Sequence, residues 1–132
     1  MLYSPKILIV EDVGLIALDI KTMLISTGFQ NIKIAYNGPE AISISETYVP
    51  DLILMDIILG DGMNGIETAK TIHKNRPVPL IYITGSTDIE TQKEAQSTSP
   101  AAIIQKPIHL PELEYSVKSA LGMNPDFIIA VI

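Results

Sequence analysis

Between Pro50 and Gly60 the chain runs Asp51-Leu52-Ile53-Leu54-Met55-Asp56-Ile57-Ile58-Leu59. A run this short and apolar, closed by Gly60-Asp61-Gly62, suits a strand buried on both faces, the kind that builds a parallel sheet. An unpaired carboxylate is expensive to bury, so Asp56 belongs at the C-terminal end of the strand, where the sheet opens. In open α/β sheets that edge is also where sites form. Taken alone, Asp56 reads more simply as a strand cap or the first residue of a turn. The rest of the chain argues otherwise.

Four more apolar runs frame it. Lys6-Ile7-Leu8-Ile9-Val10 ends in Glu11-Asp12, and Ile32-Lys33-Ile34-Ala35-Tyr36 ends in the turn signal Asn37-Gly38. Leu80-Ile81-Tyr82-Ile83-Thr84 ends in Gly85-Ser86, and Ala101-Ala102-Ile103-Ile104-Gln105 in Lys106-Pro107. Helical spacing fills the gaps. Ile16, Ile20, Met23 and Leu24 mark a helix from Val13 to a stop at Gly28. Pro39 opens a second, carrying Ala41, Ile42, Ile44, Ser45 and Tyr48. Ile66, Ala69 and Ile72 give a third over Gly65–Asn75, and Leu113, Val117, Ala120 and Leu121 a last over Leu110–Leu121. Asp88 to Thr98 is mostly polar, with Ile89 and Ala95 available to pack, so its helix is the most weakly anchored. Strands alternating with helices imply a parallel α/β sheet with right-handed crossovers.

The bulk numbers agree. A chain of 132 residues suits one core, and 47% hydrophobic against 18% charged residues fits a fully covered sheet. The net charge of -6 repels a nucleic-acid backbone and argues against direct nucleic-acid binding. Without cysteine there is no disulfide, thiolate metal site or cysteine nucleophile. No apolar run approaches the roughly 20 residues of a membrane helix. No signal-peptide pattern opens the chain, so a cytoplasmic location is expected.

The strand ends carry the chemistry. All strand C-termini of a parallel sheet lie on one edge, so Glu11, Asp12, Asp56, Thr84 and Lys106 should converge there. Singly, each has an ordinary explanation: helix cap, strand residue, ion-pair partner. Together they demand another. Like charges about 4 Å apart cost roughly 4 kcal/mol at an effective dielectric near 20, so three carboxylates call for raised pKa values or a cation. Oxygen ligands without cysteine or a nearby histidine suit a hard divalent ion, magnesium by preference. With an ammonium and a hydroxyl beside it, Asp56 becomes a nucleophile toward a phosphoryl group. His73, at the end of a helix, and His109, just before one, suit solvated or capping roles.

With these residues the chain resembles the response-regulator receiver domains of two-component signalling, from about Lys6 to Leu121. The resemblance lies in the acidic pair Glu11-Asp12, the lone Asp56, Thr84-Gly85 and Lys106-Pro107. It implies a flavodoxin-like, doubly wound sheet of order 2-1-3-4-5 with five helices. It implies that Asp56 accepts a phosphoryl group from a phosphohistidine of a sensor kinase or phosphotransfer protein, without turnover on external substrates. Asp12, Asp56 and the backbone carbonyl of Ile58 would hold Mg²⁺, with Glu11 reaching it through water. Lys106 would pair with Asp56 across a cis peptide to Pro107, and Thr84 would move toward the phosphoryl group as the switch.

Three positions bear on how the family pattern works in this chain. Where many receivers carry an aromatic switch residue, three before the lysine, this chain has Ile103. Ile58 and Ser86 occupy positions that tune access of the hydrolytic water, and an apolar Ile58 cannot orient that water. Phosphorylation is expected to move the Asp88–Thr98 segment and expose a surface for a downstream protein, an output domain or a second copy. A flavin carrier would need a phosphate loop in place of Glu11-Asp12-Val13, and a haloacid-dehalogenase-type phosphatase an Asp-x-Asp after the first strand. A pseudo-receiver, binding partners without phosphorylation, is the remaining alternative. The expected domain spans residues 1–122, and 123–132 form an apolar tail that could pack, pair or begin a following segment.

Overall fold

The computed structural model describes residues 4–60 and 62–123. Ten elements alternate: β1 (Lys6–Val10), α1 (Gly14–Ser26), β2 (Asn31–Ala35), α2 (Gly38–Tyr48), β3 (Leu52–Asp56), α3 (Gly65–Asn75), β4 (Leu80–Thr84), α4 (Ile89–Gln96), β5 (Ala102–Gln105) and α5 (Leu110–Ala120). The strands pair in parallel, as the alternation predicts, and in the order β2-β1-β3-β4-β5 that the resemblance implies. The apolar tail from residue 124 lies outside the described residues.

Because strand side chains alternate between faces, the central strands feed two cores. Leu8, Val10, Ile53, Met55, Leu80 and Tyr82 meet Ala41 of α2, Ile66, Ala69 and Ile72 of α3, and Ala95 of α4. Ile7, Ile9, Leu52, Leu54, Ile81 and Ile83 meet Ala17, Ile20 and Leu24 of α1 and Leu113 and Val117 of α5. β3 and β4 are buried along their whole length, which explains their lack of polar alternation. Each such Ile or Leu contributes roughly 1.5–3 kcal/mol on burial.

Local signals set the helix ends. Gly28 follows α1 at φ +104, a conformation that glycine adopts without a side-chain clash, and Phe29 N–H closes on Leu24 O. Asn37 caps α2 by accepting from Glu40 N–H at 2.8 Å. Asn64 and Glu67 form a reciprocal capping box at the start of α3. Asp88 caps α4 through Thr91 N–H, 3.1 Å.

Most element ends shift by one or two residues from expectation, and the end of β3 shifts furthest among the strands. The run Asp51–Leu59 is not all strand: β3 stops at Asp56, and Ile57, Ile58 and Leu59 leave the sheet. Ile57 and Leu59 still turn into the core, whereas Ile58 is 59% exposed. Apolarity alone cannot mark this end, since loop and strand residues here are equally apolar. Gly65 N–H bonds Ile57 O at 2.7 Å and pulls the chain away from the ladder.

Candidate functional site

The C-terminal edge of the sheet brings the strand-end residues together by register. Val10 pairs with Met55, one residue short of Asp56, and Glu11 N–H extends the β1–β2 ladder to Ala35 O at 3.0 Å. Lys106 N–H bonds Thr84 O at 2.8 Å, so the β5 ladder also runs one residue further. Glu11 and Lys106 therefore flank Asp56 from strands on its two sides.

Lys106 Nζ donates to Glu11 Oε1 and to Asp56 Oδ2, 3.0 Å each. Both carboxylates are nearly shut off from solvent, with Glu11 1% and Asp56 6% exposed. Asp56 Oδ1 also accepts from Ile58 N–H at 3.2 Å, and Glu11 Oε2 from Val13 N–H at 3.2 Å. Burial pushes the Glu11 carboxyl up to about 7, and the charge of Asp56 adds to this against the lowering hydrogen bonds from Lys106 and Val13. For Lys106, burial acts downward, but the bonds to the two carboxylates outweigh it and raise the ammonium above its ordinary value.

Asp12 stands exposed beside the pair. One carboxylate oxygen each from Glu11, Asp12 and Asp56 lie within 4.8 Å of one another. This donor set, all oxygen and triply acidic, fits a hard divalent cation. The residues open onto a cleft of about 540 Å³ lined by Glu11, Asp12, Val13, Asp56, Ile58, Gly60, Gly85, Ser86 and Lys106. An ammonium beside a carboxylate cluster fit for a cation, with one carboxylate fixed by its neighbours, can receive a phosphoryl oxyanion.

Thr84 departs from expectation. It sits at the strand end as predicted, but it is fully buried and absent from the cleft lining. Its Oγ1 accepts from Ser86 N–H at 3.0 Å, a local turn bond that draws the hydroxyl from the opening. Glu11 has a further partner that the sequence does not indicate, the ammonium of Lys106. Ile103 is half-buried against the core that holds Tyr82 and Ala95. The Lys106–Pro107 peptide is cis.

One contributor, Gly65, escapes sequence reasoning. A Cβ at Gly65 would fall on the carbonyl of Asp56, so only glycine lets α3 begin this close to the strand end. Gly65 could be noticed only as one of several loop glycines. His73 Nε2 lies 3.0 Å from Val78 O, which gives it a local structural contact, and His109 precedes α5 without a side-chain cap bond.

The family described as response regulator receiver domain matches residues 7–118. This chain belongs to that family. The transcriptional regulatory protein PdtaR of Mycobacterium tuberculosis is 28% identical over 117 residues, covering 89% of this chain and 57% of that protein. The phyllosphere-induced regulator PhyR of Methylorubrum extorquens is 35% identical over 119 residues, covering 89% of this chain and 44% of that protein. The receiver thus spans about half the length of these curated relatives. Among solved structures, a CheY-like receiver domain protein from Methanospirillum hungatei is 30% identical with a TM-score of 0.84, covering 91% of this chain and 95% of that one. The signal receiver domain of a modulated diguanylate cyclase from Desulfovibrio desulfuricans is 33% identical, TM-score 0.84, covering 91% and 95%. No helix among the receiver's described residues is long and apolar enough to cross a membrane.

Proposed function

We propose that the chain is a working phosphoacceptor whose acceptor is Asp56, and not a pseudo-receiver. The observation that carries this is the pair of 3.0 Å bonds from Lys106 to Asp56 and Glu11 at the mouth of an acidic cleft. A carboxylate oxygen of Asp56 attacks the phosphorus of a phosphohistidine on a sensor kinase or phosphotransfer protein. The phosphorus–nitrogen bond breaks, the imidazole leaves and takes a proton, and an acyl phosphate remains on Asp56.

Asp12, Asp56 and the backbone carbonyl of Ile58 are the groups that would hold Mg²⁺, with Glu11 within reach through water. When bound, the ion offsets negative charge on the phosphoryl oxygens. Lys106 moves its ammonium from the Asp56 carboxylate to a phosphoryl oxygen, a charge-assisted contact fixed in advance by Glu11. Thr84 releases Ser86 N–H and turns its hydroxyl toward the phosphoryl group. The receiver domain covers residues 1–122, and it does not turn over external substrates. Its phosphorylated surface addresses an output domain, a downstream protein or a second copy.

Acetyl phosphate with Mg²⁺ tests the acceptor. Intact mass should rise by one phosphoryl group in the natural chain and stay unchanged in Asp56→Asn. The same gain in Asp56→Asn, or none in either protein, overturns the proposal.

A further inference from the structure

Ile103 cannot act as an aromatic rotamer switch: it is aliphatic, half-buried and packed on the core beside Tyr82 and Ala95. A different connection joins the acceptor edge to its neighbours. Ser86 N–H donates to Thr84 Oγ1 at 3.0 Å. The carbonyl of the same residue accepts from two side-chain amides, Gln92 Nε2 of α4 and Gln105 Nε2 of β5, each at 3.2 Å. Ser86 Oγ accepts from Asp88 N–H at 3.1 Å, and Asp88 in turn caps α4 through the N–H and hydroxyl of Thr91. One residue lining the cleft thus holds the start of α4 and the end of β5.

The two ends of α4 are held differently. Among its eight residues only Ala95 is buried, and Ile89, expected to pack, is 69% exposed. Beyond the C-terminal end, Thr98 gives its hydroxyl proton to Ala95 O at 2.7 Å. Thr98 has no second proton, so in its 2.8 Å contact with Tyr82 the phenol is the donor. Tyr82 is itself fully buried in the sheet, which makes that end an anchor. The N-terminal end is held by polar contacts that lead to Ser86.

We infer that Ser86 is the coupling residue of this receiver, carrying the position of Thr84 to α4 and β5 through Gln92 and Gln105. The inference rests on Thr84 acting as the switch in a phosphoacceptor. When the Thr84 hydroxyl turns to the phosphoryl group, Ser86 loses its N–H acceptor and shifts, and its carbonyl parts from the two glutamines. The first turn of α4 loosens while the Tyr82–Thr98 anchor stays. Gln105 adjoins Lys106, so the β5 end responds together with the acceptor pair. Ser86, Gln92 and Gln105 are positioning residues here, outside the chemistry.

Hydrogen exchange of the full chain, with Mg²⁺ alone and with Mg²⁺ and beryllofluoride, tests this. In the natural chain, beryllofluoride should speed exchange over residues 89–92 on the order of tenfold and leave residues 95–98 nearly unchanged. In Gln92→Ala/Gln105→Ala, residues 89–92 should exchange fast already, with a ratio near one, while acetyl phosphate still adds its mass. The single variants, each losing one donor, should give intermediate ratios and serve if the double variant unfolds. A natural-chain ratio near one, or one preserved in the variants, with phosphoryl mass gained by all, overturns the coupling alone. Absence of any mass gain in the natural chain overturns the acceptor reading, and the coupling with it.

Discussion

Replacing Lys106 by methionine keeps the length of the side chain and removes the charge that holds the acceptor edge together. The ammonium makes 3.0 Å bonds to two carboxylates that are 1% and 7% exposed at the side chain, while Lys106 itself is 24% exposed. Breaking a buried pair by removing one partner costs about 3–5 kcal/mol, because the other charge is left unpaired. Partial exposure of Lys106 lowers that to about 2–4 kcal/mol. At this chain size the loss corresponds to a melting midpoint lower by roughly 10 °C.

The deficit should depend on pH. Folding raises the Glu11 carboxyl from 4.5 to about 7, so between those values the folded chain holds a proton that the unfolded chain releases. Stability from this group therefore falls as pH rises through that window. Removing Lys106 takes away a lowering contact and extends the window upward, so the variant should lose more near about pH 8 than near about pH 6. Urea melts in chelator give the numbers, and added Mg²⁺ should recover part of the deficit. Glu11→Gln in the Lys106→Met background should also recover part of it, measured as a coupling energy in a double-mutant cycle. A loss below about 0.5 kcal/mol near pH 8 in chelator, or zero coupling to Glu11, would refute the reasoning.

Gly65→Ala sets a methyl group on the Asp56 carbonyl, and backbone cannot step aside as a side chain does. It should cost about 1–3 kcal/mol in a urea melt and slow phosphoryl uptake from acetyl phosphate, whereas Gly14→Ala, with open space around it and no left-handed backbone, should leave uptake intact. Tyr82→Phe should cost about 1 kcal/mol by loss of the Thr98 bond. Burial raises the Tyr82 phenol above 10.0, so the unfolded chain ionises first and stability falls above about pH 10; that slope should be shallower in Tyr82→Phe melts. With an exposed, apolar Ile58 at the cleft, the acyl phosphate should hydrolyse slowly, and a half-life of seconds by radiolabel decay would contradict this.

How legible the molecule is from its sequence depends on how local each feature is. Gly28 announces a helix end, and Asn37-Gly38 a turn, because the bonds they make lie within a few residues. Apolar runs announce strands because both faces of this sheet are covered. The weak anchoring of α4 is legible too, from the scarcity of apolar residues between Asp88 and Thr98. Ile89 misleads, since apolarity does not say on which side of a short helix a residue falls.

Residue order alone sets the alternation of strands and helices, and with it the arrival of Glu11, Asp12, Asp56, Thr84 and Lys106 at one edge. That follows from periodicity and from the geometry of parallel sheets. Where their side chains point is set by contacts made in the folded chain. Glu11 joins Lys106 because β1 and β5 each extend one residue past their last ladder pair. Thr84 turns from the cleft because Ser86 offers it an N–H. Ser86 gathers Gln92 and Gln105 because the turn after β4 brings its carbonyl between α4 and β5. These contacts join residues up to 95 positions apart, and directional bonds over such separations leave no trace in spacing or composition.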